Sequence, residues 1–200
     1  DDHMEHLKHK EKVTIMIAII GALFFAAVNQ TIVSNALPKI ISDLGGLDYY
    51  SWVFTSFMLT SAIMTVVAGK LSDIYGRKPF FLIGILVFSV GAFLCGTSVT
   101  IVQLIIYRAI QGIGAGLIIP TAFAAVGDLF APRERGKWQG VMSSVFGVSS
   151  VLGPTIGGYI VDNLDWRWVF WVFLPLGIVA FMLILKLFPK TERRQNETID

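Results

Sequence analysis

Val102-Gln-Leu-Ile-Ile-Tyr107-Arg108-Ala-Ile-Gln111-Gly112-Ile-Gly114-Ala-Gly116-Leu-Ile-Ile-Pro120-Thr-Ala-Phe-Ala-Ala-Val126 runs for 25 residues with one charge. A bilayer core takes about 20 apolar residues of helix, within a range of roughly 17 to 25. The run has that length. It also lacks the short apolar–polar alternation of a barrel strand, so it predicts a membrane-spanning helix. Its one charge, Arg108, lies about 12 Å along the helix from Thr100, counting 1.5 Å per residue. A guanidinium at that depth either faces a partner or cavity or reaches back to the surface.

Working outward, five more stretches read the same way: Val13 to Leu37, Trp52 to Ala68, Pro79 to Gly96, Trp138 to Val161 and Trp168 to Phe188. The expected fold is an all-α polytopic membrane bundle of six helices. Residues 1–12 form a polar tail, with residues 1–3 read as vector-derived, and residues 189–200 open a further polar segment. Composition agrees. Apolar residues make up 54% of the chain and charged residues 15%, against about a half and a quarter in soluble domains. Mean hydropathy is +0.69.

Lys and Arg set the orientation, because cytoplasmic loops carry the excess. The tail, the loops after the second and fourth spans, and the end of the sixth span with the segment after it collect thirteen of the sixteen; Lys39 and Arg167 fall on the other side and Arg108 deep within a span. Both termini are therefore expected in the cytoplasm, with lipid as the main partner. Trp52, Trp166 and Trp168 mark outer boundaries and Trp138 an inner one.

Several chemistries are not expected. Cys95 is the single cysteine, and His3, His6 and His9 all lie in the tail, so neither a disulfide nor a four-ligand metal site is foreseen. An intramembrane Ser–His protease needs a histidine at membrane depth. A voltage sensor would need an Arg ladder, and a potassium filter its TVGYG loop. Gly112 to Leu117 is no dinucleotide fingerprint, since no strand precedes it and Leu117 stands at the third glycine position. No cofactor and no nucleic-acid partner are expected.

The spans differ chemically. The third and sixth are almost wholly apolar and are expected to face lipid. The first carries Asn29, Gln30, Thr31, Ser34 and Asn35, and the fourth Arg108 and Gln111. Such groups are costly in hydrocarbon unless they face a cavity or a partner, so these two helices are expected to line a pathway. The second and fifth are rich in small residues. Ser143, Gly147, Ser150, Pro154 and Gly157 recur at spacings of four and three, one helix face suited to close packing, here expected to meet a helix outside the unit. Polar, small and apolar thus repeat as one-two-three and four-five-six. Three helices per unit make the two units inverted repeats, an arrangement common in transporters.

Between the second and third spans runs Gly69-Lys70-Leu71-Ser72-Asp73-Ile74-Tyr75-Gly76-Arg77-Lys78. Asp73 and Arg77 can pair if the turn stays helical, and Gly76 permits a sharp turn before Pro79. An ordinary basic loop reads the same way locally.

Together this loop, Arg108 with Gln111 and Gly112, and Gly147 to Gly158 resemble the signatures of the major facilitator superfamily in order and spacing. The last segment is similar to the motif of its proton-coupled antiporters. Thr31-Ile32-Val33, Ala36-Leu37-Pro38 and Trp166-Arg167-Trp168-Val169-Phe170 with Pro175 and Gly177 resemble the drug:proton antiporters, most closely the fourteen-helix type. The resemblance covers nearly all of Val13 to Phe188 and implies the N-terminal six-helix half of a transporter in a bacterial plasma membrane.

It further implies proton coupling through Arg108 and a cytoplasmic latch of Gly69, Asp73, Gly76, Arg77 and Asp128. Gly147, Gly153, Pro154, Gly157 and Gly158 would form a hinge and interface. Asn29, Gln30, Ser34 and Gln111 are the cavity and substrate candidates. The implied partners are a second six-helix half (in the same chain or a second copy), a small amphiphilic substrate, and the proton. Two positions depart from the pattern: Asn29 stands where these antiporters commonly have Asp, and Phe173 where they commonly have Asn. An asparagine carries no titrating proton, so the deep spans hold no carboxylate. A half without transport activity of its own is the alternative.

Overall fold

The structure, a computed structural model, describes residues 9–188. Residues 1–8 of the expected tail, with His3 and His6, and the polar segment from 189 onward lie outside the described residues; residues 9–12 of that tail already belong to the first helix. Helix α1 (His9–Leu44) ends at Gly45 and Gly46, both with positive φ, and a single 3₁₀ turn leads into α2 (Tyr50–Tyr75). Gly76, at φ 98° and ψ 160°, separates α2 from α3 (Arg77–Gly96). This is a backbone region that side chains disfavour. Thr100 caps α4 (Ile101–Leu129) by accepting from the Gln103 amide at 3.1 Å. Pro132 opens α5 (Pro132–Asn163), where its missing N–H is harmless. The last span breaks into α6 (Trp168–Trp171) and α7 (Leu174–Leu187), with Pro175 in the first turn of α7.

Six crossings result, and all six are long and apolar enough to span a bilayer. The helices overrun the apolar stretches at several ends, because hydropathy marks the depth in lipid while the backbone stays helical into the interface. Among the described residues there is no strand.

Burial corrects the expected roles. In α1 67% of the apolar window is buried and in α4 61%, against 22% in α2. Helices α1 and α4 are thus the core of the unit, and their polar residues turn toward each other as well as toward open space. Helix α3 is not simply lipid-facing. It buries Phe81, Ile85, Phe88 and Cys95 while exposing Ile83, Leu86, Val90 and Phe93. The reason is close approach to α4: a Cβ on Gly91 would lie 2.8 Å from the Gln111 backbone, and one on Gly84 2.8 Å from Leu117 Cβ.

The apolar core forms two clusters. One contains Phe25, Phe57, Phe88, Ala115 and Ile118 toward the end that holds both His9 and Phe188. The other contains Ile32, Val53, Leu104, Trp166 and Phe170 toward the opposite end. Between them, on α1 and α4, lie Asn29, Arg108 and Gln111.

Candidate functional site

Arg108 fills the gap between the two clusters and is fully buried. Its Nη1 donates to Asn29 Oδ1 at 2.5 Å and to Gln111 Oε1 at 3.0 Å, and its Nε donates to the Val53 carbonyl at 3.2 Å. The guanidinium lies 4.2 Å from the centroid of the Phe57 ring. One side chain therefore ties α4 to α1 and α2. Surface-seeking is ruled out in this conformation. Helix spacing brings Gln111 to Arg108, since residues three apart share a face. Cys95 adds its thiol to Gln111 Oε1 at 3.6 Å.

Every partner of this cation is neutral. Each acidic residue on the described helices lies within three positions of a helix end. Among the described residues, Arg108 Nη2 and Gln111 Nε2 are buried with no hydrogen-bond partner. In a low-dielectric layer such groups are costly, so the site is under-satisfied as it stands.

The cavity candidates separate into two groups. Asn29 and Gln111 are sealed inside this cluster, whereas Gln30 and Ser34 are exposed on α1. An apolar groove of about 500 Å³ begins at Ser34 and continues past Leu37, Pro38 and Ile41 to Leu47 and Tyr50.

At the end where both described termini lie, Arg77 joins three groups. It pairs with Asp73 at 2.5 Å, donates to Asp128 Oδ2 at 2.8 Å, and donates to Ser72 Oγ at 2.8 Å. The Asp73–Arg77 pair forms across the break at Gly76 and not along a continuous helix, a correction to the simplest reading of the spacing. Gly69 has open space where a Cβ would point.

The α5 residues also divide. A Cβ on Gly153 would lie 2.7 Å from Thr31 Cβ, and one on Gly157 3.1 Å from the Ile32 carbonyl. Both therefore pack on α1, within the unit, so the expectation that Gly157 meets an outside helix does not describe this structure. Among the described residues, nothing lies within 4 Å of such a Cβ on Gly147 or Gly158. Pro154 lies inside the helix, and Asn35 Nδ2 donates to its carbonyl at 2.8 Å. Thr31 Oγ1 donates to the Ser149 carbonyl at 3.0 Å.

Sequence reasoning did not assign Thr31, Asn35, Val53 or Phe57 to these contacts. The first two sat in a polar stretch already noted, but nothing in a single chain marks which helix they meet. A further tie at the opposite end was also missed: Trp166 Nε1 donates to Asp43 Oδ2 at 2.7 Å, while Arg167 Nη1 donates to the Gly96 and Ser98 carbonyls, each at 2.7 Å.

Comparison with known proteins agrees with this architecture. The chain is 43% identical over 179 residues to the multidrug transporter protein MdtP of Bacillus subtilis strain 168, covering 90% of this chain and 33% of that protein. It is 41% identical over 186 residues to multidrug resistance protein 3 of the same strain, covering 93% and 36% respectively. The chain thus spans about a third of the length of these curated relatives. Among solved structures, a bacterial homologue of the human lysosomal transporter Spinster, inward-facing and unoccupied, superposes with a TM-score of 0.74 at 18% identity. That match covers 97% of this chain and 46% of that one. At such identity the likeness speaks for the fold. The Major Facilitator Superfamily profile matches residues 19–199, and the chain belongs to that family.

Proposed function

We propose that the chain is the N-terminal six-helix half of a secondary transporter that exports small amphiphilic compounds across a bacterial cell membrane by alternating access, coupled to proton entry. The observation that carries this reading is the open polar face of α1, where Gln30, Ser34 and Asn35 are exposed at mid-helix in a membrane protein. Such groups need water, a partner or a ligand there. The names of the relatives, a multidrug transporter and a multidrug resistance protein among them, favour amphiphilic cargo.

The second half, in the same chain or a second copy, would close the pathway. The Arg77–Asp73–Asp128 network would be the latch that separates when the halves rock, and Pro154 with its flanking glycines the hinge. The excess of Lys and Arg at the end shared by His9 and Phe188 favours the cytoplasm for that end, and residues 189–200 would begin the segment that leads to the second half. With Asn29 neutral, the titrating group would come from the second half, while Arg108 biases its charge.

The test uses inverted membrane vesicles containing the full-length transporter that carries this sequence. An acid interior should drive ethidium accumulation, and a protonophore should stop it. Accumulation indifferent to the protonophore would remove proton coupling. No accumulation of ethidium or a neutral amphiphile under any gradient would remove transport itself.

A further inference from the structure

We propose that the corner formed by the start of α1 and the turn from α4 to α5 is a binding site for the phosphate headgroup of an anionic phospholipid. Phe130 and Trp138 stack there, with ring centroids 5.1 Å apart and planes at 17°. Three cations converge on that pair. Lys12 Nζ is 5.9 Å from the Phe130 centroid and Lys137 Nζ is 5.4 Å from that of Trp138. Arg135 Nε donates to the Phe130 carbonyl at 3.0 Å.

Among the described residues none of the three forms an ion pair. Their sequence neighbours Glu11 and Glu134 are exposed and unpaired with them, and Asp128, the nearest acid on α4, is engaged by Arg77 at 2.8 Å. Three like charges gathered this way repel one another unless an anion joins them. Pro132, Arg133, Glu134 and Arg135 also form the first turn of α5, the end where cations are disfavoured and anions favoured.

Location selects lipid over a soluble anion. Phe130 is buried in the apolar core while Trp138 is only half-buried, so the stacked pair runs from the protein interior toward the boundary. Tryptophan near the end of a span marks the headgroup level, and Val141, nearly one turn farther along α5 and inside the apolar run, is an exposed apolar side chain. Basic residues at that level attract anionic lipids of the adjoining leaflet. A merely solvated basic face would spread its charges instead of bringing three to one aromatic pair.

The experiment titrates the full-length chain, in detergent, with phosphatidylglycerol and with phosphatidylcholine, counting bound lipids by native mass spectrometry. Phosphatidylglycerol should bind about tenfold more tightly than phosphatidylcholine. Lys12→Gln/Arg135→Gln/Lys137→Gln should erase that preference, whereas Lys12→Arg/Lys137→Arg should keep it. Lys10→Gln/Arg133→Gln, exposed basic positions beside the cluster, should leave it within about twofold. An equal loss in both Gln variants would mean diffuse surface charge and overturn the site. No preference in the wild type, or displacement of the lipid by millimolar inorganic phosphate, would overturn the lipid assignment.

Discussion

Arg108 is a buried cation held by amides, a carbonyl and a ring, and that arrangement governs what its substitution does. Arg108→Ala removes three hydrogen bonds and leaves the acceptors of Asn29, Gln111 and Val53 to find new partners. Hydrogen bonds to a charged group contribute about 1.5–3 kcal/mol each, so a loss of roughly 3 kcal/mol is expected even after relaxation. The variant should therefore melt lower in nanodiscs as well as lose proton-driven efflux; unchanged melting would mean the cluster is not a structural tie. Asn29→Asp should act oppositely. It supplies a carboxylate where Arg108 already points, and the layer's charge falls to neutral. We expect about 1–2 kcal/mol of stabilisation, read as a higher melting temperature. The depth of Arg108 was legible in the sequence. Its partner Asn29 was not, because the two are 79 positions apart and nothing local links them.

At the scale of elements, the seam between α1 and α5 depends on two small residues. Gly153 faces Thr31, whose hydroxyl donates to the Ser149 carbonyl, so any side chain there displaces both the backbone and that bond. Gly153→Val should cost about 2–3 kcal/mol through overpacking. Gly147→Val meets open space and should alter the stability of the unit by less than about 0.5 kcal/mol. Thermal unfolding of the two variants in the six-helix unit alone checks this, and equal effects would show that Gly147 packs within the unit. The spacing of small residues along α5 was read correctly as a stripe but assigned to one surface. Fourteen residues at 100° each fall about 40° short of four turns, and Pro154, inside the helix, removes one backbone hydrogen bond within the stripe. The stripe thus winds from an outward face at Ser143 and Gly147 to an inward one at Gly157. The six helices themselves were legible because each apolar run is long; the break at Gly76 appeared in the sequence as a glycine, but its pairing across the turn needed the fold.

For the whole molecule, the question is which exposed surfaces are finished in lipid and which are not. Helix α2 exposes Met58, Leu59, Ile63 and Val66, and acyl chains solvate such a face without penalty. Helix α5 is different. Ser143, Ser144, Ser150 and Thr155 are exposed along it, and the hydroxyls of Ser144, Ser150 and Thr155 bond back to carbonyls of the same helix at 2.6, 2.7 and 3.0 Å. Those bonds make the face tolerable in a membrane, while the small side chains leave room for another helix backbone to come close. Such close approach is what drives helix association where no hydrophobic force acts. The partner should therefore seat on the Ser143–Gly147–Ser150 part of α5, away from the inward Gly153 and Gly157. With Cys95 replaced by alanine, cysteines at positions 147 and 150 should crosslink to a helix outside this unit in the full-length transporter, and a cysteine at Leu86 on α3 should not. Crosslinks confined to α2 or α3, or none from positions 147 and 150 in a transporter that still exports substrate, would show that α5 faces lipid and that the second half docks elsewhere.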